Sequence, residues 1–344
     1  MTTLRRLAPM GRQYRIPAMA LAVTVAAILL VLSWDDAPGV LLLVAAVGPP
    51  ISALLLARSA AGGGSSLRRL AAAFGLGATL IPFLVITVHG AVLAAVYTLV
   101  EPLGEAGRDL LDGLRVDPTF VEVLTSPWAL LFLVELALVA PLAEESLKPL
   151  AARIVRPGSR REAFLLGAAA GAGFAAIEDV LYASGWFFSS EWWLPIAVLR
   201  STGAALHLLG AGLISVALYE RRQHVGRPTS LAKVWGLAVG IHAFWNGAIA
   251  VAMMLFEERS RVGLGGSGWE WGIALDVLLG MVGMALLGAL VVAARWAVPE
   301  EPRSGERVVD LGRPEVVAGW ATLTALMLIP AIVLILVFPS FLEL

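Results

Sequence analysis

Apolar runs of about 20 residues recur along almost the whole chain, and no other feature constrains the fold so strongly. A helix of that length spans the hydrocarbon core of a bilayer. Hydrophobic residues make up 59% of the 344 residues and charged residues only 15%, which excludes an ordinary soluble domain. The sequence therefore predicts an all-α fold, a polytopic bundle of transmembrane helices.

The order of apolar runs and arginines predicts the topology. Hydropathy places about nine spans, at roughly 17–33, 38–57, 74–100, 128–150, 163–187, 193–219, 231–256, 270–294 and 316–338. Arginines follow every even-numbered span, and the alternate loops are acidic or neutral. Because cytoplasmic loops carry an excess of Arg and Lys, this pattern predicts a cytoplasmic N-terminus and an external C-terminus. The longest external segment, 101–127, is expected to form a short amphipathic helix with turns.

Charge and cysteine content limit the possible partners and chemistries. The net charge is -1 and no basic cluster with interleaved aromatic residues is present, so a nucleic-acid partner is not expected. The chain has no cysteine, which excludes disulfides, thiolate metal sites and cysteine nucleophiles. Glycines are dense in spans 5 to 7, and small residues let membrane helices approach closely. We therefore expect a tight bundle of spans 4–7 in contact with lipid.

Most ionisable residues inside the spans fall in spans 4 to 7. Each costs roughly 2.5–3.5 kcal/mol at a bilayer centre, so such groups usually face a cavity and mark function. In span 4, Lys148 lies one helical turn after Glu144 and is expected to offset one carboxylate. The other polar residues of these spans are Glu135, Glu145, Glu178, Asp179, Arg200, His207, His242 and Asn246. Helical rise places the glutamates and histidines at depths compatible with one cavity, if the helices tilt.

Two kinds of hydrolytic chemistry suit this set of residues. Histidines and glutamates from several helices can bind a divalent metal such as zinc and leave one glutamate to activate water. Without a metal, the same groups can perform general acid–base hydrolysis, with an asparagine as oxyanion donor. A serine mechanism fits less well because no G-x-S-x-G motif is present, and the zinc motif H-E-x-x-H is also absent.

Four short motifs follow one another on spans 4 to 7. They are E-E-x-x-K (Glu144, Glu145, Lys148), F-x-x-x-E with a tyrosine four residues later (Phe174, Glu178, Tyr182), an arginine seven residues before a histidine (Arg200, His207), and H-x-x-x-N (His242, Asn246). In this order they resemble the PrsW family of intramembrane proteases, which are distantly similar to the CAAX-prenyl protease and bacteriocin-processing membrane proteins. The resemblance covers roughly residues 128–256.

The resemblance implies an activity and a role for each residue. The protein would be a multi-pass peptidase of the bacterial plasma membrane that cleaves a membrane-anchored, anti-sigma-factor-like protein. Glu144 or Glu145 would be the catalytic base, and Asn246 would support the oxyanion. The metal ligands or water activators would be Glu178, His207 and His242, with zinc as the expected ion. The supporting residues would be Lys148, Arg200 and Asp179. The family usually has asparagine at the last of these positions, so this chain carries an additional carboxylate.

The same interpretation divides the chain into three parts and leaves other functions open. The parts are N-terminal helices with the acidic loop (1–127), a four-helix catalytic core (128–256) and C-terminal helices (257–344). His89 is interpreted as structural, and Glu135 has no assigned role. A non-catalytic sensor or immunity-type protein of the same fold is an alternative. A proton-coupled transporter is another, although the internal repeat common in transporters is not found.

Overall fold

The computed structural model describes the helical core of the chain. The described residues are 22, 26, 39–63, 65–92, 94–95, 133–186, 193–225, 228–262 and 268–297. Side chains are described mainly over 46–63, 65–92, 133–181, 203–225, 228–250 and 277–297. The predicted external segment 101–127, the predicted span 316–338 and nearly all of the predicted span 17–33 lie outside the described residues.

The described residues form helices and turns, with no strand among them. The helices are α1 (Gly39–Ala60), α2 (Leu67–Ala78, continuing past an interruption at Thr79 to Val92), α3 (Ala140–Leu147), α4 (Pro149–Val155), α5 (Arg160–Trp186), α6 (Trp193–Arg222), α7 (Leu231–Val262) and α8 (Gly268–Trp296). Four described segments are long and apolar enough to cross a membrane: Leu67–Val92, Arg160–Leu181, Gly203–Arg222 and Val277–Trp296. The structure thus agrees with the predicted class, an all-helical protein with membrane-spanning segments.

Two predicted helix bounds are wrong by several residues. The helix expected to begin at 74 begins at Leu67, because Ser66 caps its first turn by accepting a hydrogen bond from the Arg69 backbone N–H. The helix expected to end at 256 continues to Val262. Polar residues lower the hydropathy at both places, but they do not prevent helix formation.

The segment predicted as one span, 128–150, is divided by two prolines. Glu135–Val139 forms a turn of π-helix, in which the Ala140 N–H donates to the carbonyl of Glu135, five residues back. Pro141 comes next and has no N–H to continue the α-helical ladder. Pro149 has the same effect two residues after α3 ends, and it begins α4. Hydropathy predicts neither break, and the two breaks leave α3 as a separate helix of eight residues.

Helix α5 lies at the centre of the described bundle. In its most apolar stretch of 18 residues, within Arg160–Leu181, 94% of the residues are buried, whereas the corresponding stretch of α8, within Val277–Trp296, has only 33%. It packs against α1, α2 and α6, and its inner positions are largely alanine, such as Ala168 and Ala172. The neighbouring helices are therefore positioned by close contact with one buried helix.

Arginines join the helices at one end of the bundle. Arg69 of α2 pairs with Glu162 of α5, and Arg160 of α5 pairs with Glu220 of α6 at 2.9 Å. The Arg160 guanidinium also lies 3.6 Å above the ring of Trp296 at the end of α8. These contacts place the beginnings of α2 and α5 and the ends of α6 and α8 together. Such an arrangement is expected when the arginine-rich loops share one side of a membrane.

Candidate active site

Five of the predicted site residues converge on one buried cluster. Glu144 and Glu145 lie on α3, Lys148 follows at the break before α4, His207 lies on α6 and His242 on α7. None of these residues is more than 4% exposed. Polar groups buried to this extent need partners, and in an apolar bundle they find them among one another.

Glycines allow the helices that carry the cluster to approach closely. A Cβ atom on Gly171 of α5 would lie 2.2 Å from the backbone oxygen of His207, so α5 and α6 are in backbone contact beside this histidine. A Cβ atom on Gly210 of α6 would lie 2.5 Å from Glu145 Oε2, so a carboxylate fits against α6 only because this residue is glycine. Near the cluster, the glycines therefore allow α5 and the Glu145 carboxylate to contact α6.

The ammonium group of Lys148 lies at the centre of the cluster. Its Nζ atom is 2.9 Å from Glu144 Oε2 and 2.8 Å from Glu145 Oε1, so it pairs with both carboxylates. The same atom lies 2.7 Å from His207 Nδ1 and 4.5 Å from the centre of the Phe174 ring. Spacing predicted a pair with one carboxylate; the i,i+3 pair with Glu145 is additional. These partners offset the free-energy cost of removing the ammonium group from water.

The two histidines meet edge to face, with ring centroids 4.9 Å apart. His242 Nδ1 lies 2.9 Å from Glu145 Oε1, so this carboxylate fixes the orientation of the ring. His242 Nε2 then faces Glu144 Oε2 at 3.7 Å and has no hydrogen-bond partner within the described part of the chain. His207 Nε2 lies 3.2 Å from Glu178 Oε2, which brings α5 into the cluster.

The cluster fits a divalent metal ion. One ligand atom from each of four buried residues lies within 4.8 Å of the others, and the four are Glu144, Glu145, His207 and His242. Zinc with bonds of about 2.0–2.1 Å holds two tetrahedral ligands about 3.3 Å apart. The His207–Glu178 and His242–Glu144 separations, 3.2 and 3.7 Å, are close to this value. Three ionised carboxylates and one ammonium would leave two negative charges, which a divalent cation balances.

The remaining predicted residues differ in their relation to the cluster. Asn246 of α7 is 5% exposed, and its Nδ2 donates a hydrogen bond of 3.1 Å to the carbonyl of Leu136 in the π-helical turn. Asp179 is buried beside Glu178 on α5. The backbone of Arg200 belongs to α6, but its side chain lies outside the described residues, as does that of Tyr182.

A cavity of about 420 Å³ adjoins the cluster. Glu144, Glu178 and Asn246 line it together with apolar side chains from α2, α3 and α5. Two further lining residues are His89, for which the sequence predicts a structural role, and Glu135, for which it predicts no role. The signal that could have identified both is an ionisable side chain inside an apolar run.

One comparison with known proteins identifies a family. A model of the PrsW family of intramembrane metalloproteases matches residues 65–264, a stretch that contains every residue of the cluster and the cavity. No curated protein and no solved structure matches the chain. Because the family match covers more than half of the sequence, the chain belongs to the PrsW family of intramembrane metalloproteases.

Proposed function

We propose that this peptidase hydrolyses a peptide bond of a membrane-anchored protein in the cavity that Glu144, Glu178 and Asn246 line. The observation that carries the proposal is the buried cluster of two histidines, three glutamates and a lysine beside that cavity. Burial of such a cluster in an apolar bundle costs free energy, so its presence indicates a function. Membership of a metalloprotease family indicates that the reaction is peptide hydrolysis, and the cavity is proposed to bind the substrate.

Glu144 is proposed as the catalytic base, with Glu145 as a positioning residue. Glu144 lines the cavity, so a water there is within its reach. Glu145 is fully buried, and its Oε1 is engaged by Lys148 and His242 at 2.8 and 2.9 Å. A carboxylate that orients a histidine in this way acts through the histidine. This division supports a choice between two residues that the sequence leaves equivalent.

His207, His242 and Glu178 are proposed to hold the metal ion, and zinc is the ion that best suits imidazole and carboxylate ligands. When bound, zinc supplies Lewis acidity, which polarises a carbonyl and makes a water a better nucleophile. In an alternative set Glu144 is the carboxylate ligand, since its Oε2 is 3.7 Å from His242 Nε2. Zinc content of the Glu144→Gln and Glu178→Gln variants distinguishes the two sets of ligands.

The protein groups then carry the proton and stabilise charge. Glu144 takes a proton from water as the water oxygen bonds to the scissile carbonyl carbon. The carboxylic acid returns this proton to the amide nitrogen as the C–N bond breaks. An asparagine amide has two N–H donors, and Asn246 uses one of them for Leu136. The other is proposed to stabilise the oxyanion. Lys148 balances the glutamates, and Asp179 and Arg200 are proposed as supporting residues.

The cellular setting is also proposed. The chain would have nine spans in a bacterial plasma membrane, with its N-terminus in the cytoplasm, and the arginine-joined end of the bundle supports the alternation of loops. The division into 1–127, 128–256 and 257–344 stays a proposal. We add the helix Leu67–Val92 to the functional unit because residues of this helix line the cavity. The substrate would be an anti-sigma-factor-like membrane protein, as the family resemblance implies.

Zinc content and cleavage, measured on the same detergent-purified variants, test the proposed roles. The cleavage probe is a reporter in which one transmembrane segment joins two tags. Glu144→Gln is expected to keep zinc and lose cleavage, whereas His207→Ala/His242→Ala and Glu178→Gln lose zinc as well. Glu145→Gln is expected to lower both zinc affinity and cleavage by about 10–100-fold. His224→Asn, in an exposed loop, is the control and should match the wild type.

Three results would change the assignment. Loss of zinc in Glu144→Gln, with retention in Glu178→Gln, would exchange the roles of these two carboxylates. Cleavage without zinc in the wild type would favour a glutamate-based mechanism. Cleavage by Glu144→Gln at the wild-type rate would remove this residue from catalysis.

A further inference from the structure

A second polar pair lies in the same cavity as the catalytic cluster. His89 Nδ1 of the α2 extension is 3.4 Å from Glu135 Oε1, and the two side chains are 22% and 17% exposed. Most other residues around this pair are apolar, including Pro82, Val85 and Ile86. The pair is separate from the cluster, because Glu135 precedes Glu144 by nine residues, a helical rise of about 13 Å.

The element that carries Glu135 has unusual backbone geometry. Glu135 is the first residue of the π-helical turn, and single π-turns in helices occur frequently at functional sites. The next residue, Leu136, accepts the hydrogen bond from Asn246. The turn is thereby hydrogen-bonded to α7, four residues from His242, so the structure defines where the second pair lies relative to the cluster.

Each member of the pair has hydrogen-bonding capacity to spare. His89 Nε2 is a buried atom without a hydrogen-bond partner in the described part of the chain, and Glu135 Oε1 has the 3.4 Å ion pair with His89 Nδ1 but no well-aligned hydrogen bond. Such atoms are costly in apolar surroundings, so a complementary group is expected to occupy the cavity. A carboxylate oxygen accepts an N–H, and an imidazole nitrogen donates or accepts according to its protonation. A peptide backbone offers both an N–H and a carbonyl.

We propose that His89 and Glu135 form a docking subsite for the backbone of an unwound transmembrane segment of the substrate. The inference rests on the proposed function and adds a determinant of substrate specificity. A backbone amide inside an intact helix already has its partner, so the subsite selects segments that have lost helical structure. An extended chain advances about 3.3 Å per residue, so the bound amide lies about four residues from the cleaved bond.

The subsite can be tested with peptides that lack single N–H donors. The probes are synthetic single-span peptides of about 20 apolar residues, weakened by a Gly-Gly pair, in which one amide at a time is replaced by an ester. With the wild type, one ester about four residues from the cleaved bond is expected to raise KM about fivefold to tenfold, the effect of one lost hydrogen bond. The kcat is expected to stay unchanged, because the subsite is distant from the reacting atoms.

Variants of the protein assign that effect to the pair. With Glu135→Leu, the all-amide peptide should already show the raised KM, and the ester should add nothing. Glu135→Gln keeps an acceptor oxygen and should retain most of the affinity. His89→Leu and His89→Gln form the matching comparison for the imidazole.

The outcomes distinguish this proposal from the proposed function. A flat ester profile with the wild type, or an ester effect that persists in Glu135→Leu, would overturn the subsite while cleavage stands. If the leucine variants do not fold, Glu135→Gln decides: loss of the charge weakens the hydrogen bond, so an ester effect smaller than in the wild type supports the subsite and an undiminished effect overturns it. Failure of the wild type to cleave any all-amide peptide would contradict the proposed function, and the subsite with it.

Discussion

At the scale of single residues, Lys148 is the only lysine or arginine with a completely buried side chain among the residues whose side chains are described. It is fully buried, and its ammonium group is the common partner of Glu144, Glu145 and His207. Removal of one member of such a group leaves uncompensated buried charge, which usually costs more than the intact group contributes. Its position therefore affects the folding of the protein as well as its chemistry.

We expect Lys148→Met to lower the free energy of unfolding of the metal-free protein by about 3–5 kcal/mol, because two buried carboxylates lose their counter-charge. Denaturant titration in detergent micelles measures this difference. Lys233→Met, at an exposed position on α7, is the matched control and should change stability by less than about 0.5 kcal/mol. Equal stability of the two variants would show that the glutamates do not depend on the lysine.

Most of the cluster could be predicted from the sequence, but the His89–Glu135 pair could not. Glu144, Glu178, His207 and His242 are conspicuous because each is ionisable and lies in an apolar run. The pair joins residues 46 positions apart (|89 − 135|), and no helical spacing relates them. Their contact follows from how α2 packs against the π-helical turn, which is information that the sequence pattern does not contain.

At the scale of elements, hydropathy predicted the positions of the described helices to within several residues but missed the breaks within them. Apolar runs determine where a helix lies, because burial of each apolar side chain in lipid or protein lowers the free energy. The division of the segment 128–150 depends instead on Pro141 and Pro149, which withhold backbone donors at specific points. Proline is tolerated in many membrane helices, so the presence of the two prolines did not predict where the α-helical hydrogen-bond pattern would break.

Glycine packing between α5 and α6 gives a testable difference between two positions. Gly171→Val is expected to reduce stability by about 1–3 kcal/mol and to impair cleavage, because any Cβ there meets the His207 backbone. Gly236→Ala on α7, where a Cβ atom meets nothing within 4 Å, should be neutral or slightly stabilising. Thermal unfolding in detergent, together with cleavage of the reporter, measures both effects. An unaffected Gly171→Val would contradict the backbone contact.

At the scale of the whole molecule, the arginine-joined end of the bundle provides a test of topology. The chain contains no cysteine, so single cysteines can be introduced without a background. Gln223→Cys, exposed after α6, should be protected from a membrane-impermeant maleimide in intact cells and labelled after permeabilisation. Ser189→Cys, in a loop predicted from the sequence to be external, should be labelled directly. The reverse pattern would invert the proposed orientation.

The backbone contact between α5 and α6 also has a consequence for motion. Helices that touch through glycine have little freedom to separate, so this pair should behave as one rigid body. The other side of the cavity is formed by the π-helical turn and by α2, which is interrupted at Thr79. Local opening of these two elements is expected to cost less free energy than separation of α5 from α6. Admission of a substrate should therefore move the wall at Glu135–Val139 and leave the histidine of α6 in place. Hydrogen–deuterium exchange measures this difference: backbone amides of the π-helical turn should exchange fast, and those around Gly171 slowest.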